Sequence, residues 1–458
     1  MKKNHIYGFF YCLDNGIQVR GYMNTPDYSA ILRVIIVFVV MFLTIRKKYS
    51  ISSVFFGGSV LLSLFFTMPF KNYILSFLSS LIASKTLSLG VIVSLIIIFG
   101  DLLEKSGSTS RMAEIFKDNE RGRKIGLAAF PAIIGLLPVP GGAVFSAPMV
   151  KTLADSHKIG PSRMSLINYW YRHVWEYLWP LYPGVILASS ISGMGFDVLA
   201  LYMSPFTILA ILIGIVYLPS GRISLDYKIK TNKNSRDDMS PIFQRGIKEI
   251  SPILLVIIPV LTISPIFARI FPEAHMIRDL ILMASLISGI LFVIITNRLD
   301  MMTVKAAILD KRLADMILMV VSIMVFKKIL EDTGAAGQIG SEITGAGIPI
   351  YLSAFFLPFL TGIVTGISVA FIGISLPVII SLCSVSGNTA LIEPVTILAI
   401  ASGFMGVMLS PLHLCLILSN SFFGADSLTF YKRLVPLCIL IIVFTFLYFH
   451  LIMLINKP

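Results

Sequence analysis

The chain has 458 residues, of which 56% are hydrophobic and 13% charged, with a mean hydropathy of +0.88. Soluble chains carry roughly 25% charged residues, so this composition excludes an ordinary soluble domain and indicates a polytopic membrane protein. The net charge of +13 is no nucleic-acid signal, because the basic residues sit in short loops between apolar spans, the pattern of the positive-inside rule.

Residues 1–27 read as a polar N-terminal extension without an apolar core of signal-peptide length. Ile31–Ile45 is the core of the first span. Arg46-Lys47-Lys48 place its far end in the cytoplasm and the N-terminus outside. Ile51–Phe70 returns outward, Tyr73–Ser84 is amphipathic, and Thr86–Leu103 runs inward. Lys105–Lys124 is a hydrophilic cytoplasmic loop. Residues 125–150 are apolar but interrupted by Pro138, Pro140, Gly141 and Gly142. A crossing helix needs roughly 20 apolar residues, and each arm here is about a dozen. The segment is predicted to be a re-entrant hairpin. Its tip should line a cavity, because irregular backbone is tolerated at that depth only inside protein or beside water.

Asn168–Gly184 holds all three tryptophans. The spacing predicts a helix with Tyr171, Trp175 and Trp179 on one face and Asn168, Arg172 and Glu176 on another. Pro180, Pro183 and Gly184 then break it. An interfacial aromatic belt with an Arg172–Glu176 surface pair accounts for the aromatics, but not for a glutamate directed at a helix break. The span resumes as Val185–Met194, and Val198–Leu218 returns inward. Residues 221–248 are polar and basic, a cytoplasmic linker.

The second half repeats the plan. Pro252–Phe271, Met276–Ile295 and Ala314–Leu330 are spans, with a basic loop at Asn297–Arg312 and a Gly-rich outer segment at Glu331–Ile348. Residues 351–382 contain Gly362, Gly366, Gly373 and Pro377 and form a second hairpin, entered from outside. Pro394–Phe423 is broken near Ser410-Pro411, and Leu434–Leu454 is the last span. Leu103–Gly107 parallels Leu330–Gly334, and Leu178–Leu187 parallels Leu409–Leu418, at offsets of 227 and 231. Five crossings per half is an odd number, so the halves are oppositely oriented. The predicted fold is an all-α polytopic membrane protein. It has two inverted repeats of five transmembrane helices, 28–220 and 249–458, each with a re-entrant hairpin and a broken helix. Such repeats put the site at the midplane, where the breaks meet.

On Leu137–Met149 and Tyr171–Gly184 in particular, residues 28–456 resemble the ion-transporter superfamily of secondary carriers, which includes citrate, dicarboxylate, gluconate and arsenite carriers. Within it they resemble the ten-span family filed as domain of unknown function four-hundred-and-one. The resemblance implies the carrier architecture and a homodimer, and names no substrate. Dicarboxylate relatives carry Ser-Asn-Thr at both hairpin tips. This chain departs from that pattern, with Gly141-Gly142 at the first tip, Thr365-Gly366 at the second, and Ser386-Gly387-Asn388-Thr389 only after the second hairpin.

A half-helix starting at a glycine tip exposes unpaired N–H groups and a partial positive charge. Gly141, Gly142, Ser146, Thr365, Gly366 and Ser368 are therefore the candidate solute-binding residues. Pro180, Pro183, Gly184, Ser410 and Pro411 make the broken helices. An ionisable group deep in a bilayer costs about 2.5–3.5 kcal/mol, which singles out Glu176, Glu393 and His413 near the breaks as carriers of a coupling proton or ion. Asp101, Glu104 and Glu331 sit at span ends and read as interfacial. Cys12, Cys383, Cys415 and Cys438 lack metal spacing and read as packing residues, so no metal or cofactor is expected beyond a coupling proton or sodium. The expected function is a secondary transporter in the cytoplasmic membrane, moving a small organic anion by alternating access coupled to protons or sodium. Its expected partners are that solute and the lipid bilayer. Cation/proton antiport is the nearest alternative. Gly366-Ile367-Ser368-Val369 with His413 also resembles the nucleophile turn of an intramembrane serine protease. No His-Glu-x-x-His pair exists, and no enzyme is expected.

Overall fold

The computed structural model describes residues 30–47, 49–108, 111, 120–136, 142–154, 159–217, 239–270, 276–335, 337–339, 342, 349–385 and 389–455. The N-terminal extension, most of the linker, the first hairpin tip with Gly141, and 386–388 lie outside them. Among the described residues the chain is helical and has no strand.

We number the helices in chain order. The first half holds α1 (Ala30–Arg46), α2 (Ile51–Phe65), α3 (Phe70–Ile82), α4 (Ser84–Lys105), α5 (Glu120–Gly135), α6 (Ala143–Ala154), α7 (Pro161–Arg172), α8 (Pro183–Ser192) and α9 (Phe196–Tyr217). The second holds α10 (Met239–Ile270), α11 (Met276–Asn297), α12 (Met301–Ile308), α13 (Lys311–Asp332), α14 (Ile350–Thr365), α15 (Ser368–Val385), α16 (Ile392–Leu409), α17 (Leu414–Phe423) and α18 (Ser427–Ile455). Local chemistry sets several boundaries. Pro161 and Pro183 open α7 and α8, where the missing N–H costs nothing. Asp310 caps α13 by accepting from the Arg312 amide at 2.8 Å. Gly193 and Gly424 close α8 and α17 in the left-handed conformation. The second span is shorter than its sequence implies: α2 stops at Phe65, and Thr67 turns the chain with φ 52°.

Among the described residues, six segments are long and apolar enough to cross a membrane: α4, α9, Glu249–Phe267 of α10, α11, the stretch Ile392–Phe423 and α18. Large apolar side chains face outward along them, such as Leu201, Ile208, Leu212 and Ile215 on α9 and Leu280, Ile287, Leu291 and Ile295 on α11. Apolar faces of this extent belong in lipid. The protein is an all-α, multi-pass membrane protein.

The halves share their order of helices and their backbone irregularities. Thr67 and Arg298, Gly107 and Gly334, and Gly193 and Gly424 all have positive φ, at offsets of 231, 227 and 231. They also pack in exchanged pairs. α2 and α3 lie on α13 as α11 and α12 lie on α4. α8 lies on α15 as α17 lies on α6, and α7 meets α18 as α16 meets α9.

Helices α1–α4 with α10–α13 form one group, and α5–α9 with α14–α18 another. The groups meet where α4 touches α8, α13 touches α15, α9 touches α10 and α1 touches α14. Within the first group Asp101, near the end of α4, is buried: it pairs with Lys105 at 2.7 Å and with Arg312 of α13 at 2.6 Å. Across the seam Asp197 on α9 faces Arg278 on α11 at 3.4 Å. A cavity of about 380 Å³ lies beside this pair, lined by Lys85, Ser88, Ser189, Ser264, Arg278 and Asp279.

α16 is buried all round from Pro394 to Met408. It approaches α14 so closely that a Cβ on Gly362 would lie 2.2 Å from the Gly403 oxygen, and one on Gly406 2.1 Å from the Phe359 oxygen. Small residues permit such backbone contact between membrane helices. Gly406→Val should therefore cost about 1–3 kcal/mol by overpacking, seen as a lower thermal midpoint in detergent. Gly57→Ala, where an added Cβ meets nothing within 4 Å, should not lower it. Equal midpoints for the two variants would contradict the packing.

Candidate functional site

Four helix ends meet in the interior. α5 stops at Gly135, α7 at Arg172, α14 at Thr365 and α16 at Leu409. Each end leaves carbonyls without intrahelical partners, and an apolar interior penalises any left bare. Side chains cover them. Tyr182 Oη donates to the Gly135 oxygen at 2.5 Å, Trp179 Nε1 to Leu136 at 3.0 Å, Arg172 Nη1 to Ile134 at 2.9 Å and Trp175 Nε1 to Ala132 at 2.9 Å. In the second half His413 Nδ1 donates to the Gly366 oxygen at 2.8 Å and Ser410 Oγ to Ile363 at 2.5 Å. Gly366 closes α14 with φ 65°, and a Cβ there would sit 2.9 Å from the His413 amide nitrogen. Glycine alone meets both demands.

The helix expected to run through Glu176 ends early, and this corrects the sequence reading. Residues 173–178 are turns. His173 is the cause. Its Nδ1 takes the Tyr169 oxygen at 2.6 Å, the carbonyl a continuing helix would need, while its own amide bonds to Trp170. The two stripes of Asn168–Gly184 therefore do not form. The indoles donate inward to main-chain carbonyls, Trp170 to Ala210 included, so they anchor buried chain and are not an interfacial belt. Arg172 is 3% exposed and is no surface partner of Glu176.

The turn gathers a polar cluster. His173 Nε2 lies 3.6 Å from Glu176 Oε1, and Ser368 Oγ at the start of α15 donates to Glu176 Oε2 at 2.8 Å. His413 Nε2 lies 2.9 Å from His173 Nε2. Cys415 completes the group: its sulfur and a nitrogen of each ring lie within 4.8 Å of one another, all three residues buried. The Arg172 guanidinium adjoins Cys415. It also fills the space over Gly142, where a Cβ would lie 2.2 Å from Nη2. A Cβ on Gly184 would lie 3.2 Å from Ser368 Cβ. A small void of about 10 Å³, room for about one water, lies beside the cluster among Glu176, Tyr182, Gly184, Ser368, Phe371 and Phe404.

Residues 28–454 match the family described as protein of unknown function (DUF401). The chain belongs to this family. No curated protein matches it. The cluster lies wholly within the span that carries the DUF401 match.

Of the candidate residues in this DUF401 chain, the fold brings Gly142, Glu176, Gly184, Gly366, Ser368, Ser410 and His413 together. Pro180 lies in the turn, Pro183 opens α8, and Pro411 precedes α17. Ser146 is buried in α6, donating to the Ala143 oxygen at 3.4 Å, and Thr365 donates back to Thr361 at 2.8 Å. Glu393 sits at the other end of α16, about 24 Å of helix away, where Tyr202 donates to it at 3.3 Å. Ser368 and His413 do not form a protease-like dyad: Ser368 donates to Glu176, and both His413 nitrogens face Gly366 and His173. The sequence reading missed His173 and Cys415, and it left Arg172 at the surface. The available signal was a run of ionisable residues inside an apolar segment. Tyr182→Phe should orphan the Gly135 carbonyl and cost about 1–3 kcal/mol, read as a lower midpoint of chemical unfolding in micelles. An unchanged midpoint would show that this cap holds nothing.

Proposed function

We propose that this protein is a secondary transporter that moves a small organic anion across the cytoplasmic membrane by alternating access, coupled to a proton or sodium gradient. In this reading α5–α6 and α14–α15 are re-entrant hairpins that enter from opposite faces, one in each of two inverted repeats. The exchanged helix pairs and recurrent positive φ values support the repeat. So does one pair of bonds: Tyr182 to Gly135 and His413 to Gly366 have both members at an offset of 231.

The observation that carries the reading is the buried centre. The N-termini of α6, α8, α15 and α17 gather beside the Arg172 guanidinium. Each N-terminus contributes roughly half a positive charge, and together with Arg172 they suit a carboxylate or similar anion. The chemistry is also one-sided, as a site is and a scaffold need not be. At the offset of 231, Arg172, His173 and Glu176 correspond to Gly403, Phe404 and Val407. The seam crossed by the Asp197–Arg278 pair is where one helix group would move against the other.

The test is flux into proteoliposomes with an imposed acid-outside or sodium-outside gradient, using a panel of labelled organic anions. The expected result is gradient-dependent uptake that an ionophore collapses. Gly142→Val and Glu176→Gln should each lower it at least tenfold while still eluting as folded protein. Flux that requires a cation and ignores every anion would favour cation/proton antiport. Full flux in both variants would remove the site assignment, and no uptake under either gradient would contradict the carrier.

A further inference from the structure

The two central imidazoles face each other in a way that neutral rings alone do not favour. Each Nδ1 points at a main-chain carbonyl, Tyr169 at 2.6 Å and Gly366 at 2.8 Å. A carbonyl only accepts, so each ring keeps its hydrogen on Nδ1 and presents a lone pair at Nε2. Those two Nε2 atoms are 2.9 Å apart. Lone pairs set this close call for an electrophile that both can share. Cys415 brings a sulfur within 4.8 Å of both rings. Glu176 brings Oε1 to 3.6 Å from His173 Nε2, with its other oxygen held by Ser368.

From this arrangement we infer that His173, His413 and Cys415 form a three-ligand binding site for a borderline-soft divalent metal ion of the zinc type, with the fourth position left to water or solute and Glu176 beside His173. Two imidazoles and a thiolate are donors such an ion takes, at about 2.0–2.1 Å for nitrogen and about 2.3 Å for sulfur. Hard cations prefer all-oxygen sites. Ligating histidines characteristically give their other ring hydrogen to a carbonyl, which fixes the tautomer and orients the ring, and both rings here do so. The thiolate and the neighbouring Glu176 carboxylate offset the ion's two charges. The Arg172 guanidinium adjoins Cys415, where its charge favours an anionic sulfur, and its Nη1 also donates to the Ile134 oxygen at the C-terminal end of α5. The ligands come from the turn after α7 and from the start of α17, so the ion ties the first half of the chain to the second. This site stands whether or not the protein transports an anion.

The test uses full-length protein in detergent micelles, dialysed against Zn2+ and then metal-free buffer, with metal content read by mass spectrometry. Co2+ serves as a spectroscopic probe of the same site. The expected result is one Zn2+ per chain, undisturbed by excess Mg2+, and a sulfur-to-cobalt charge-transfer band. Cys415→Ala should abolish the band, and His173→Ala should weaken Zn2+ binding at least tenfold, both with unchanged gel-filtration and circular-dichroism profiles. Should an alanine variant fail to fold, Cys415→Ser and His413→Gln give the same readouts. Wild-type protein that retains less than a tenth of an equivalent would overturn the site, leaving a shared proton to explain the imidazole contact. Zn2+ binding unchanged in the folded variants would overturn it equally.

Discussion

A helix that ends inside an apolar interior leaves main-chain groups with no water to satisfy them. Among the described residues, four helices end there, at Gly135, Arg172, Thr365 and Leu409. The carbonyl ends are covered by side chains from the segments between the helices or just beyond, chiefly Tyr182, Trp179, Ser410 and His413. The amino ends of the succeeding helices are left directed at the centre. Carbonyl ends and amino ends thus meet around the same buried cluster, the carbonyl ends capped by side chains. The tight contact of α14 with α16, glycine against carbonyl, holds the breaks in place.

The scaffold and the chemistry obey different rules. Helix order, positive-φ positions and helix pairings repeat between the halves. The reactive side chains do not. The first half supplies Arg172, His173 and Glu176, where the second has Gly403, Phe404 and Val407. The second supplies His413 and Cys415, where the first has Tyr182 and Gly184. His413 and Tyr182 cap equivalent carbonyls, yet only the imidazole has a second nitrogen to turn toward the centre. Among the described residues, the recurring helix order and pairings therefore surround a cluster built from unequal contributions of the two halves.

Much of the fold was legible because prolines and glycines punctuate apolar runs. Pro138 and Pro140 marked the division between α5 and α6, Gly366 the division between α14 and α15, and Ser410-Pro411 the break before α17. These are local backbone effects, and sequence records them directly. The end of α7 was not legible. It depends on the His173 ring competing for the Tyr169 carbonyl, a side-chain choice that helical periodicity does not register. The gathering of His173, His413 and Cys415 was hidden for another reason: 240 residues separate the two histidines, and only tertiary packing brings them together. Glu393, close to a proline in sequence, lies at the far end of α16.

The central claim is that α5–α6 and α14–α15 each turn back inside the membrane, from opposite faces. Single cysteines at positions 111 and 160 flank the first pair, and cysteines at 349 and 390 flank the second. Labelling with a membrane-impermeant maleimide in right-side-out and inverted vesicles tests the claim most directly. The account predicts that 111 and 160 react from one face, and 349 and 390 from the other. Reaction of 111 and 160 from opposite faces would contradict it.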